Sequence, residues 1–172
     1  MKITQSITKG DSPKLNNTKK TYLISILIPL LTGLISALLT SSNISLYYEI
    51  NRPFLAPPAY IFPIVWSVLY TLMGISFAKI ALSDNAEPSL KKFVYTLYII
   101  QLVLNFIWPL IFFNQKSYSI SFIIIVLLWY TILRMIIIFY QIDKKAALLQ
   151  IPYIIWVTFA SYLNLALALL NQ

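Results

Sequence analysis

The chain has 172 residues, of which 59% are hydrophobic and only 10% charged, against roughly 25% charged in a soluble domain. A domain this small with so few polar groups cannot cover its own surface, which excludes a soluble fold and leaves the bilayer as its solvent. The net charge of +8 is concentrated at the N-terminus and in short gaps between apolar runs, which sets membrane orientation rather than building a nucleic-acid surface.

There is no Cys and no His, so disulfides, thiol nucleophiles, zinc sites and histidine bases are excluded and no metal is expected. The five carboxylates, Asp11, Glu49, Asp84, Glu87 and Asp143, all lie outside the apolar runs. A paired-carboxylate hydrolase or a buried proton relay is therefore not expected.

Residues 1–20 are polar and basic and read as a surface or disordered cytoplasmic tail. Five apolar runs follow within a single transmembrane domain, 21–172: Tyr22–Thr40, Ala59–Leu82, Phe93–Phe113, Tyr118–Tyr140 and Ala146–Leu170. Each is close to the ~20 residues that cross ~30 Å of hydrocarbon. Backbone groups in lipid must pair within their own segment, so the fold class is an all-α bundle of five transmembrane helices. The first run follows Lys19-Lys20 as a signal peptide would, but it is long for one and lacks a clear A-x-A site, so it reads as a retained span.

The longest connection, residues 41–58, carries Pro53, Pro57 and Pro58. The prolines stiffen it, and Pro57-Pro58 suit the start of a helix, where a missing N–H costs nothing. A long stiff loop in a minimal protein is either a lid over a binding site or a simple connector. With five spans, Lys2, Lys9, Lys14, Lys19, Lys20, Lys79, Lys91, Lys92, Lys144 and Lys145 fall on one side and only Arg52 and Lys116 on the other. The positive-inside rule then puts the N-terminus in the cytoplasm and the C-terminus outside, in the cell membrane. Arg134 lies six residues before the end of its run, about 9 Å of helix, from where it can snorkel to the interface.

Polar and aromatic groups at membrane depth recur in stripes. Gln101 and Asn105 share a face of the third run, with Trp108 close to it; Trp66, Tyr70, Gly74 and Ala78 step by four along the second, and Trp156, Ala160 and Asn164 along the fifth. Facing one another, such stripes would enclose an apolar cavity with a few hydrogen-bonding groups. The other reading of the amides is interhelical glue, and Trp108, nearer its helix end, also suits an interfacial belt. Trp129 sits mid-run with no preferred direction. Pro109 and Pro152 interrupt the third and fifth runs, where kinks would open space between helices.

These residues resemble a known family. Tyr47-Tyr48-Glu49-Ile50-Asn51-Arg52-Pro53 resembles the W-Y-x-x-L-x-K-P loop motif of the TspO/MBR family of tryptophan-rich sensory and translocator proteins. Pro57-Pro58 with Phe62-Pro63-Ile64-Val65-Trp66-Ser67-Val68-Leu69-Tyr70-Thr71-Leu72-Met73-Gly74 is similar to its P-P-x-W-x-F-x-x-V-W-x-x-L-Y-x-x-M-G. Gln101-Leu102-Val103-Leu104-Asn105 followed by Trp108 and Phe112-Phe113 is similar to its third-helix motif, and Ala146-Ala147 through Pro152-Tyr153, Trp156, Phe159-Ala160 and Leu163-Asn164 to its fifth. The resemblance spans about residues 30–171.

It implies a five-helix bundle, often a homodimer, with a pocket under the first loop that takes porphyrins such as protoporphyrin IX or haem, or another hydrophobic small molecule. Mitochondrial members also bind cholesterol and benzodiazepine-type drugs. Trp66, Tyr70, Gln101, Asn105, Trp108, Trp156 and Ala160 are the expected ligand-binding residues, with Tyr47, Pro53, Pro57 and Pro58 in the lid. Some bacterial members degrade porphyrin in light, and Trp66 and Trp156 stand at the positions tied to that chemistry. The implied function is a tetrapyrrole-binding sensor or translocator that needs no cofactor; the alternatives are light-dependent porphyrin breakdown and a membrane scaffold. This chain departs from the pattern at Tyr47 and Leu55, where many members have Trp, and it lacks the C-terminal cholesterol-recognition pattern because no Lys or Arg follows Lys145.

Overall fold

The computed structural model describes residues 13–84 and 86–171; residues 1–12 of the basic tail lie outside them. Seven helices account for most of the chain: α1 (Pro13–Thr40), α2 (Leu46–Glu49), α3 (Ile61–Ala81), α4 (Pro88–Pro109), α5 (Tyr118–Ile142), α6 (Lys144–Leu149) and α7 (Ile151–Leu170). Five stretches are long and apolar enough to cross a membrane: Leu15–Asn43, Ile61–Ala81, Pro88–Asn114, Tyr118–Ile142 and Lys144–Leu170. The protein is an integral, multi-pass membrane protein, as its hydropathy requires.

The sequence boundaries hold to within a few residues at most ends. α1 starts further out, at Pro13, because nothing from Leu15 to Lys20 breaks a helix. Its 28 residues measure about 42 Å at 1.5 Å each, so the first turns stand outside ~30 Å of hydrocarbon. The fifth run divides in two. Asp143 caps α6 by accepting hydrogen bonds from the N–H groups of Lys145 (2.7 Å) and Ala146 (3.1 Å). Pro152, with no N–H to offer the preceding turn, falls in the first turn of α7, where none is needed.

The spans form a ring in the order α1, α3, α7, α5, α4. α3 packs mainly on α1 and α6 and only lightly on α7. The ring is therefore tight at the end where α6 lies, and looser at the opposite end, under the 41–60 connection. We call these the basic end and the lid end. Large apolar side chains such as Leu31, Leu38, Ile99, Ile123, Ile155 and Leu169 stay exposed on the outside, where lipid covers them. Arg134 is on that outer face of α5 and does not reach the bundle interior.

Pro29 lies within α1 and removes the N–H that would bond the Ser25 carbonyl. That carbonyl is taken by the Tyr98 hydroxyl of α4, at 3.3 Å. Gly74 of α3 lets α1 come this close: a Cβ on it would stand 2.5 Å from both the Ser25 oxygen and the Ile26 Cα. The Tyr98 ring is held by Phe77 of α3, stacked at 3.8 Å and 13°. One freed carbonyl thus locks three helices together. At the basic end, Ser76 donates to the Ala146 carbonyl at 2.7 Å and Lys79 pairs with Asp143 at 3.0 Å.

Gly74→Ala should destabilise more than Tyr98→Phe, because the atoms it meets are backbone and cannot swing away. Tyr98→Phe should cost about 1–2 kcal/mol for the abandoned carbonyl. The apparent melting temperature in detergent reads both, and equal stabilities would contradict the packing described.

Burial acts to raise the Asp143 pKa, but the Lys79 hydrogen bond and the N–H groups of Ala146 and Lys145 outweigh it, and the net value is lowered. A carboxylate depressed in the folded state adds stability above its unfolded pKa and loses it as pH falls through the folded value. The apparent melting temperature should therefore drop below about pH 4 by a margin that shrinks in Asp143→Ala. At neutral pH that variant should lose about 1 kcal/mol, mostly from the cap, and Asp143→Asn, which can still cap, should lose less.

Candidate functional site

Between the lid-end halves of α1, α3, α4 and α7 lies a cavity of about 490 Å³. Its wall on α3 is the stripe Phe62, Trp66 and Tyr70, four residues apart. α4 contributes Asn105 and Trp108. Pro109 then ends the regular helix, and a π-helical turn, Leu110–Asn114, carries Phe112 to the wall, stacked on Trp108 at 5.1 Å and 26°. Such wide turns recur at functional sites. α7 supplies Ala160, Leu163 and Asn164, and α1 supplies Leu30, Gly33 and Ser36. Gly33 has no side chain because the Tyr70 ring occupies the space a Cβ would fill.

The polar groups around the cavity mostly serve one another. Ser36 donates to the Phe106 carbonyl (3.0 Å). The Trp108 indole N–H donates to Asn164 Oδ1 (2.9 Å), and Asn164 Nδ2 to the Tyr118 carbonyl (2.8 Å). Asn105 Nδ2 donates to the Tyr153 hydroxyl and to the Gln101 carbonyl. That leaves Asn105 Oδ1 buried and without a protein partner, and the wall of the chamber is mainly apolar and aromatic.

The lid is fastened at three points. The Tyr47 hydroxyl donates to the Pro57 carbonyl at 2.6 Å. The Asn171 side chain accepts from the Asn51 N–H (3.0 Å) and donates to the Asn51 carbonyl (3.1 Å). The Tyr162 hydroxyl donates to the Phe54 carbonyl at 3.0 Å. Asn43 Nδ2 donates to Asn114 Oδ1 (2.8 Å) and Asn114 Nδ2 to the Leu39 carbonyl (3.1 Å), tying α1 to the end of α4. On its other side α1 is not tied: Leu34, Ala37, Pro63 and Ser67 line the cavity and are also exposed. The chamber thus opens sideways between α1 and α3, toward lipid.

Of the residues expected from sequence, Tyr47, Trp66, Tyr70, Asn105, Trp108 and Ala160 line the cavity together. Trp108 faces the interior, which rules out the interfacial belt for it. Gln101 and Trp156 do not reach the wall. Gln101 is fully buried one turn below Asn105, whose amide folds back over it. Trp156 sits behind Phe62, ring centres 6.1 Å apart. Pro53, Pro57 and Pro58 shape the lid without lining the chamber. Trp129 bonds Thr158 on α7 at 2.8 Å. Sequence reasoning missed Phe62, Phe112, Gly33 and Ser36 as wall residues. Phe62 continues the four-residue stripe of Trp66 and Tyr70, a signal that was available.

Comparison with known proteins agrees with this architecture. The TspO/MBR family profile matches residues 25–170, and the chain belongs to that family. It is 35% identical to the tryptophan-rich protein TspO of Chlorobaculum tepidum over 91% of this chain and 99% of that protein. It is 30% identical to the tryptophan-rich sensory protein of Cereibacter sphaeroides, over 73% of this chain and 76% of that one. The translocator protein of Sus scrofa is 29% identical, with 80% and 82% covered.

Proposed function

We propose that the chain binds a tetrapyrrole such as protoporphyrin IX or haem in the lid-end cavity and acts as a sensor or translocator of it in the cell membrane, N-terminus in the cytoplasm and lid outside. The observation that carries the reading is the aromatic chamber itself. Trp66, Trp108, Tyr47, Tyr70, Phe62 and Phe112 surround about 490 Å³, within the usual size of small-molecule sites. Flat aromatic walls suit a flat macrocycle, because stacked rings bury large apolar areas. The sideways gap between α1 and α3 suits a hydrophobic ligand that partitions from the bilayer. The ten basic residues of one side against two of the other support the orientation.

Protoporphyrin IX should quench the tryptophan fluorescence of the purified protein saturably. Trp66→Phe should remove more of that quenching than Trp156→Phe, since only Trp66 lines the wall. No saturation, or equal effects of the two variants, would count against this site.

A second reading, light-driven porphyrin breakdown, is favoured by two contacts of Trp66. The Trp66 ring lies 5.3 Å from Tyr70 and 6.1 Å from Tyr153, centre to centre. An indole oxidised by an excited porphyrin could be refilled from either phenol. Under illumination in air, bound porphyrin should then bleach faster than free porphyrin, and Trp66→Phe should remove the difference. Equal bleaching of bound and free pigment would exclude catalysis.

A further inference from the structure

The chamber contains no cation. No Lys or Arg lines it, and the N–H groups of Trp108 and Asn105 are already committed to Asn164, Tyr153 and the Gln101 carbonyl. A ligand carboxylate buried there would stay unpaired, which is strongly unfavourable. A tetrapyrrole with acid side arms must therefore point them out of the chamber.

Arg52 stands on the lid, beside the wall of the chamber. Its guanidinium carbon lies 5.7 Å from the ring centre of Tyr47, which lines the cavity, and 6.0 Å from that of Tyr48. Both separations suit cation–π contact. Arg52 is exposed, and no carboxylate among the described residues pairs with it, although Glu49 is only three residues away. Its backbone is held on both sides: Asn51 is clamped by the Asn171 side chain, and Pro53 has a fixed φ. Its charge is felt at the cavity wall, because burial raises the Tyr47 pKa and Arg52 pulls it back.

We propose that Arg52 is the anion-recognising residue of this pocket, taking a carboxylate of the ligand at the lid end while the apolar body stays in the chamber. The site then selects amphiphilic ligands, a flat apolar body with an acid arm, over wholly neutral ones. The planar guanidinium fork matches a carboxylate with two parallel hydrogen bonds. Because Arg52 is already held by two rings and a clamped backbone, little ordering is lost on binding. This inference rests on the tetrapyrrole reading above.

The test uses the full chain in discs of zwitterionic phosphatidylcholine, titrated with protoporphyrin IX and with its dimethyl ester, which has the same macrocycle and no charge. Arg52→Gln should weaken the diacid about tenfold, equivalent to about 1.4 kcal/mol, and leave the ester within about twofold. Arg52→Lys should recover part of the loss, because it keeps the charge but not the fork. Added salt should weaken the diacid alone. Lys116→Gln removes the same charge from the connection between α4 and α5 and should have little effect. Equal weakening of diacid and ester by Arg52→Gln would make Arg52 merely structural and overturn the proposal. So would no change in either ligand, or an equal loss in Lys116→Gln. If the parent protein binds neither ligand, the tetrapyrrole reading falls and this inference with it; if it binds both and only the Arg52 pattern fails, the tetrapyrrole reading stands.

Discussion

A proline inside a membrane helix frees a carbonyl that lipid cannot satisfy. In this protein the freed group is the Ser25 oxygen, one turn before Pro29, and its partner comes from another helix, the Tyr98 hydroxyl of α4. The bond is possible only because α3 presents Gly74 at the same spot, so that its backbone and that of α1 nearly touch. The contact fixes the basic-end halves of α1, α3 and α4 against one another. Further along, the helices no longer need to touch. Gly33 faces a tyrosine ring instead of a backbone, and above it α1 and α3 separate enough for the chamber and its sideways opening. The cavity follows from where the tight crossing was placed.

The same economy governs the polar groups. An amide or hydroxyl at membrane depth is costly if left alone; several hydroxyls bond back within their own helix, and others join helices: Ser36 to α4, Asn164 to Trp108 and to the start of α5, Asn105 to Tyr153. The chamber wall keeps aromatic faces and almost no free hydrogen-bonding capacity. Such a wall discriminates by shape and area rather than by polar matching. Discrimination by charge must then come from outside it, and Arg52 on the lid is placed for that.

The five spans and the fold class were legible because lipid imposes a length and a periodicity that few sequences satisfy by chance. The Trp66–Tyr70 stripe was legible for the same reason: a step of four on a helix fixes a face whatever surrounds it. Gln101 and Trp156 show where this reasoning ends. Gln101 shares the face of Asn105, but the bundle tapers toward its tight end, so one residue meets the chamber and the other is buried beneath it. Trp156 shares the face of Ala160, but Phe62 from α3 stands in front of it. Periodicity tells which way a side chain points and not how far away the next helix is. Glue and pocket also proved to be incomplete alternatives, since Asn105 and Asn164 bond across helices and line the cavity together.

The lid departs from the family pattern in a way that its own geometry explains. Tyr47 replaces an indole, and its phenol reaches the Pro57 carbonyl, so the residue closes the loop as well as walling the chamber. Leu55, also in place of Trp, has a φ of 74°, a left-handed conformation that costs a branched side chain about 1 kcal/mol or more. Such a residue persists only where its neighbours leave no alternative. Here the Phe54 carbonyl before it is held by Tyr162, and the Ala56 N–H after it is bonded to the Pro53 carbonyl. The side chain of Leu55 itself is exposed and contributes no wall area, so the lid holds its shape through backbone bonds rather than through a packed indole. The aromatic area of the wall lies mainly in the helical segments, on Phe62, Trp66, Tyr70, Trp108 and Phe112. The shape of the loop therefore rests on the hydrogen bonds of Tyr47, Asn171 and Tyr162 as well as on its prolines.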